Sequence, residues 1–160
     1  MQLKKVTLHY SPIDDRIRMS AELEDGGYLV LWLTLRFCRL LVSTLCRRIE
    51  DTVSRQAVFD RDFLLSFRQR AAEWQHQPAA PVSPHDGVVR SVLPERLKAS
   101  FSSRSVVLKF YIGTEQVARM SLSHTELRQW LGVLYRMFQK AKWPLDTWPE
   151  WFTLSDCSRN

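Results

Sequence analysis

SLSHTELRQWLGVLYRMFQKAKWPLDTWPEWF, residues 121–152, is the stretch from which the rest of the chain can be read. Ser123 and Glu126 stand at the spacing of a capping box, in which a serine accepts from the first free amides of a helix and a glutamate reaches back to the cap. Leu122 and Leu127 flank that cap as a hydrophobic staple. Leu127, Trp130, Leu131, Leu134, Phe138 and Ala141 then recur on one face, so the stretch predicts an amphipathic helix that Pro144 ends. After it come Trp143, Pro144, Trp148, Pro149, Trp151 and Phe152. Such a tail is expected to fold back over its own core, held extended by its prolines. Its alternative use is docking to another protein through Trp143, Trp148, Trp151 and Phe152, because tryptophan is enriched at interface hot spots.

Upstream of Ser123 the pattern changes to alternation. Residues 89–101, Val106 to Ile112 and Val117 to Leu122 read as three strands separated by turns, with Pro94 restricting the first to an edge or a strand start. The same order stands near the beginning of the chain. Val6, Leu8 and Tyr10 alternate with Lys5, Thr7 and His9; Ile17, Met19 and Ala21 alternate with Arg16, Arg18 and Ser20. Asp25, Gly26 and Gly27 supply a hairpin turn, and Tyr28 to Leu33 make a third strand. Thr34 then caps a helix with Cys38, Leu41, Val42, Leu45 and Ile49 on its apolar face. From Thr34 to Ser123 the offset is 89 residues, and it matches Ile17 to Val106, Leu33 to Leu122, Leu41 to Trp130 and Ile49 to Phe138, apolar in both copies.

The expected fold is therefore α+β: two tandem βββα units forming antiparallel sheet with helices packed on one face. The expected divisions are a first unit at 1–50, a middle helix and Pro-rich mobile linker at 51–87, a second unit at 88–142 and a Trp/Pro-rich tail at 143–160, all in one compact domain. Within the middle segment, residues 56–75 predict a helix whose buried face carries Phe59, Phe63, Leu64, Phe67 and Ala71 and continues towards Trp74. Arg55, Arg61, Arg68 and Arg70 are expected on its solvated side. Residues 77–87, QPAAPVSPHDG, carry three of the seven prolines and read as a linker.

The chain carries 23 basic and 17 acidic residues, a formal charge of +6 that favours acidic partners. Cys38, Cys46 and Cys157 form no metal-binding or disulfide pattern, which fits a reducing cytoplasm. MQLKKVTLHY lacks the apolar core of a signal peptide. The run at 28–46 is interrupted by Arg36 and Arg39, so no membrane span is expected. None of the five glycines stands in a phosphate-cradling motif, and no GxSxG or HExxH occurs. His9, His76, His85 and His124 are scattered. Asp14, Asp15, Glu24 and Asp25 are turn formers before they are acid/base pairs. No enzyme and no cofactor are expected.

By strand parity, the face of the sheet turned away from the helices carries Lys5, His9, Arg16, Arg18, Tyr28, Trp32, Lys109, Tyr111 and Arg119, with Arg96 and Lys98 beside them. Cations interleaved with aromatic rings suit single-stranded DNA or RNA, because phosphates need positive charge and unstacked bases need flat apolar platforms. A repeated strand-meander-plus-helix unit resembles, in topology, the single-strand-binding Whirly and Pur-alpha architectures. Those use four strands per repeat where three are counted here, and their sequence motifs are absent. The expected function is a non-enzymatic binding or assembly protein, most concretely for single-stranded nucleic acid. The rival is a protein interaction module, self-associating or an adaptor, that uses the same sheet face or the aromatic tail.

Overall fold

A computed structural model describes residues 1–53, 58–83 and 90–154, with the backbone alone for 58–60. Arg55, His85 and Cys157, the part of the expected linker at 84–87, and residues 88 and 89 of the expected second unit lie outside the described residues. The elements run β1 (Gln2–Ser11), β2 (Arg16–Leu23), β3 (Tyr28–Leu33), α1 (Leu35–Asp51), α2 (Val58–Trp74), β4 (Arg90–Val92), β5 (Arg96–Phe101), β6 (Val106–Ile112), β7 (Glu115–Leu122), α3 (His124–Ala141) and α4 (Glu150–Leu154). The α+β class is as expected. The Ser123 capping box is formed in full, and Thr34 accepts from the Phe37 amide at 3.2 Å.

All seven strands join one sheet in the order β4-β3-β2-β1-β7-β6-β5. Each meander is antiparallel inside. The joints between them are parallel: Gln2 and Leu3 pair with Arg119 and Met120, and Leu29 to Leu31 pair with Arg90 to Val92. The sheet is therefore mixed. The pairs Ile17–Leu33 and Val106–Leu122 are related by the same 89-residue offset that relates the two helix caps.

Pro94 breaks the single strand expected at 89–101 into β4 and β5, since it has no amide to give a ladder. The consequence is geometric. Those two strands lie on opposite edges of the sheet yet are joined only by Leu93, Pro94 and Glu95. Four residue steps reach at most about 14 Å, whereas six strand spacings of about 4.8 Å would hold the edges about 29 Å apart in a flat sheet. The sheet must curl until its edges meet. Across the closure, Arg90 pairs with Glu115 at 3.3 Å.

The concave side holds the core. Ile17, Met19, Leu31, Leu33, Leu108 and Phe110 point into it and meet the buried faces of α1 and α3 in one cluster. The helices cross over. α1 follows the first meander but reaches the second, where Phe37 lies 6.1 Å from Phe110 and the Arg48 guanidinium sits over Phe101. α3 follows the second meander but packs against β1 as well as β7. Each unit's helix thus covers part of the other unit's sheet, which makes the two halves one cooperative body.

The tail returns to this core. Trp143, Trp148, Trp151 and Phe152 are all buried, and Trp148 packs edge-on against Tyr135 and Phe138 at 5.1 and 5.4 Å. Polar latches fix its course: the Trp143 indole donates to Asp15 Oδ1 at 2.8 Å, the Trp151 indole donates to Glu50 Oε1 at 3.0 Å, and Arg39 donates to both Asp146 oxygens at 2.6 and 2.7 Å.

The middle helix is turned the other way from its expected orientation. Its buried stripe is Leu65, Gln69 and Ala72, while Phe63, Phe67 and Trp74 are exposed by 75%, 59% and 85%. The side chain of Phe59 is outside the described residues. The buried stripe packs against both α3, whose Tyr135 and Phe138 are covered by the tail, and the tail helix α4. The seam with α3 is polar. Gln69 donates to the Arg128 carbonyl at 2.8 Å and Gln129 donates to the Ala72 carbonyl at 2.9 Å. Gly132 permits the close approach, for a methyl group there would meet the Glu73 side chain.

Candidate functional site

Register and burial place every expected sheet-face residue on the outward, convex side. The second meander brings its members together. Lys98 is paired with Lys109, and Lys109 with Arg119, so three cations stand side by side across β5, β6 and β7. Directly opposed like charges destabilise a sheet by a few tenths of a kcal/mol per pair. No carboxylate forms an ion pair with any of the three among the described residues. One residue along, Tyr111 is paired with Arg96, and both the Arg96 guanidinium and the Lys98 ammonium lie over its ring, at 5.5 and 5.3 Å. This half-buried ring is thus in contact with two cations.

The first meander presents a different surface. His9, Arg18 and Trp32 form one cross-strand row, and Lys5, Glu22 and Tyr28 another. Glu22 is paired with Lys4 at 2.9 Å, so this patch carries its own counter-charge. The Trp32 indole donates to Ser91 Oγ at 2.8 Å, tying its edge to β4. Arg18 Nε is buried without a hydrogen-bond partner among the described residues. Arg16 is exposed at the start of β2. Between the two rows lies Thr7, whose hydroxyl accepts from the Val82 amide at 2.9 Å, and its row neighbours Ser20 and Val30 are only 9% and 2% exposed. The Pro-rich segment therefore reaches the outer face here.

The curl separates these patches. Sequence parity puts all the residues on one side of a sheet, but a sheet whose edges meet directs β2–β3 and β5–β6 to different parts of the surface. Arg119, beside Gln2 of β1, is where the two patches come nearest along the ladder. Beyond Leu3 and Met120 the strands β1 and β7 part, leaving a cleft of about 400 Å³ lined by Lys5, Thr7, Glu126 and Trp130 among others.

The aromatic tail is used internally. Trp143, Trp148, Trp151 and Phe152 are between 1% and 6% exposed, so a partner would reach them only after the tail had left the core. The exposed apolar surface is instead on α2, where Asp62, Phe63, Phe67, Arg70, Glu150 and Leu154 line a shallow groove. Only the sign of the helical face was missing from the sequence pattern.

The chemistry elsewhere is sparse. Burial pushes the thiols of Cys38 and Cys46 far up, which keeps them protonated and inert. No group of three potential metal ligands occurs among the described residues, and no helix among them is long and apolar enough to cross a membrane. Comparison with known protein families, with curated proteins and with solved structures finds no match to this chain. The topological likeness to single-strand-binding architectures accordingly carries no further argument.

Proposed function

We propose that the protein binds single-stranded nucleic acid on the convex face of its second meander, without catalysis. The observation that carries this reading is the row Lys98–Lys109–Arg119, three unpaired cations in register, with Tyr111 framed by Arg96 and Lys98 at its side. The row offers backbone phosphates adjacent positive charges, and the ring offers a base an apolar plane. Arg18, Trp32, Tyr28, Lys5 and Arg16 extend the surface around the curl as secondary contacts.

The test is a fluorescence-anisotropy titration of a labelled mixed-sequence single-stranded oligonucleotide at two salt concentrations. Three phosphate contacts give a log–log salt slope of about −2. The combined Lys109→Ala and Arg119→Ala variant should lose most of the affinity, and Arg18→Ala much less. Absence of binding at low salt, or binding indifferent to the double variant, sinks the reading.

A second reading, self-association, is favoured by the exposed rings of Phe63, Phe67 and Trp74. Contiguous apolar surface of this kind marks interaction sites. Sedimentation at increasing protein concentration separates the two: an apolar interface survives high salt and is lost in Phe67→Ser, whereas nucleic-acid binding shows the opposite sensitivity.

A further inference from the structure

α1, α2, α3 and the β5–β6 turn form a cleft of about 380 Å³, lined by Ile49, Thr52, Arg68, Ser102, Ser103, His124, Leu127 and Arg128. Two arginines from different helices share it. They are held there by the α2–α3 seam, because Gln69, next to Arg68, donates to the carbonyl of Arg128 at 2.8 Å. Neither guanidinium has a carboxylate partner among the described residues. Nη1 of Arg128 is buried and has no hydrogen-bond partner among the described residues.

That arrangement is costly as it stands. A buried cation without a counter-charge pays desolvation, and a like charge beside it adds repulsion. Burial first, and Arg68 second, lower the Arg128 pKa to about 10, which leaves it charged at neutral pH. The rest of the wall is polar on one side and apolar on the other. The His124 ring nitrogen Nε2 lies 2.8 Å from the Ser102 carbonyl and fixes the turn, whose Ser102 hydroxyl is occupied by Arg104, Ser105 and its own loop. The Ser103 hydroxyl makes no bond among the described residues and remains a donor, while Ile49 and Leu127 supply the apolar wall.

We propose that this cleft binds a phosphate monoester, with Arg128 and Arg68 forking onto the phosphate oxygens, Ser103 donating a further hydrogen bond and the organic group resting on Ile49 and Leu127. Guanidinium groups match phosphate geometry with two parallel donors each, and a dianion offsets both the repulsion and the desolvation at once. The cleft exceeds a phosphate alone and suits a small ligand. It lies apart from the Lys98–Lys109–Arg119 row, and neither site depends on the other.

The experiment is calorimetric titration of the full chain, at fixed ionic strength, with phenyl phosphate and with inorganic phosphate. Phenyl phosphate should bind more tightly than inorganic phosphate, and Arg68→Gln, a change at an exposed side chain, should weaken it about tenfold or more. Arg128→Lys should weaken it while leaving the thermal transition in place. A parallel arm compares a short oligothymidylate with and without a 5′-phosphate: a gain from the 5′-phosphate that Arg68→Gln abolishes assigns the site to strand ends, and no gain assigns it to small phosphorylated molecules. Failure of phenyl phosphate to bind at millimolar concentration overturns the proposal. Binding that is the same in wild type and Arg68→Gln overturns it too, whatever the Lys109→Ala and Arg119→Ala variant does to oligonucleotides.

Discussion

Two sets of aromatic residues meet opposite outcomes: those of the tail are buried, as their sequence implies, and those of α2 are exposed, against the implication of theirs. The tail is short, rich in proline and without a long period, yet its rings are buried against Tyr135 and Phe138. The middle helix has a regular phenylalanine face, yet that face is exposed and Gln69 is inside. An amphipathic pattern states which side of a helix is apolar; it does not state that a partner surface is free to receive it. Here the tail covers Tyr135 and Phe138 of α3 with large rings and anchors itself through indole donors that reach Asp15 and Glu50, while α2 packs on both α3 and α4 through its other side.

This comparison is broken most directly by Trp148→Ala. Truncating a ring that is 4% exposed should cost about 3–5 kcal/mol in urea denaturation. A cost under about 1 kcal/mol would mean that the tail is not part of the core. Trp143→Phe keeps most of the packing and removes the donor to Asp15 Oδ1, so it should cost about 1 kcal/mol.

Acid probes the same docking without mutation. Arg39, by its hydrogen bonds above all, holds the Asp146 carboxyl below the ordinary aspartate range. The contribution of this pair is present from that ordinary value upward and is lost as pH falls below about 4. Near-ultraviolet circular dichroism of the tail tryptophans should therefore weaken in that window. Arg39→Met should remove the pH dependence; persistence of it in that variant would assign the transition to other carboxylates. The smallest effect is expected on the other side of the comparison. Phe63→Ser combined with Phe67→Ser should leave stability within about 0.5 kcal/mol of wild type, since both rings already face water. A loss of several kcal/mol would show that α2 is covered in solution, by a second copy above all.

Much of the fold is legible because it rests on local rules. The caps at Thr34 and Ser123, the Asp25–Gly26–Gly27 hairpin and the inward parity of Ile17, Met19, Leu108 and Phe110 need only capping chemistry and the period of a strand. Outward parity equally put Lys109 and Arg119 on one face with Lys98 beside them, but the row of three comes from the strand register. The Arg68–Arg128 cleft left no such trace, because its members come from α1, α2, α3 and a turn, and residues 60 positions apart carry no periodic relation.

By itself, then, the sequence determined the strands other than the split of 89–101 into β4 and β5, the two capped helices and the face the residues of those strands would take, since these follow from hydrogen bonds and side-chain directions within a few neighbouring residues. Tertiary structure alone decided three things. Parallel joints and the short link through Pro94 curl the sheet and divide its basic face into two patches. The tail is buried on α3, and α2 packs on α3 and α4 through Leu65, Gln69 and Ala72, which leaves its phenylalanines outward. The α2–α3 seam brings Arg68 to Arg128. Each depends on which surfaces remain uncovered once the others have packed, and that is a property of the whole chain.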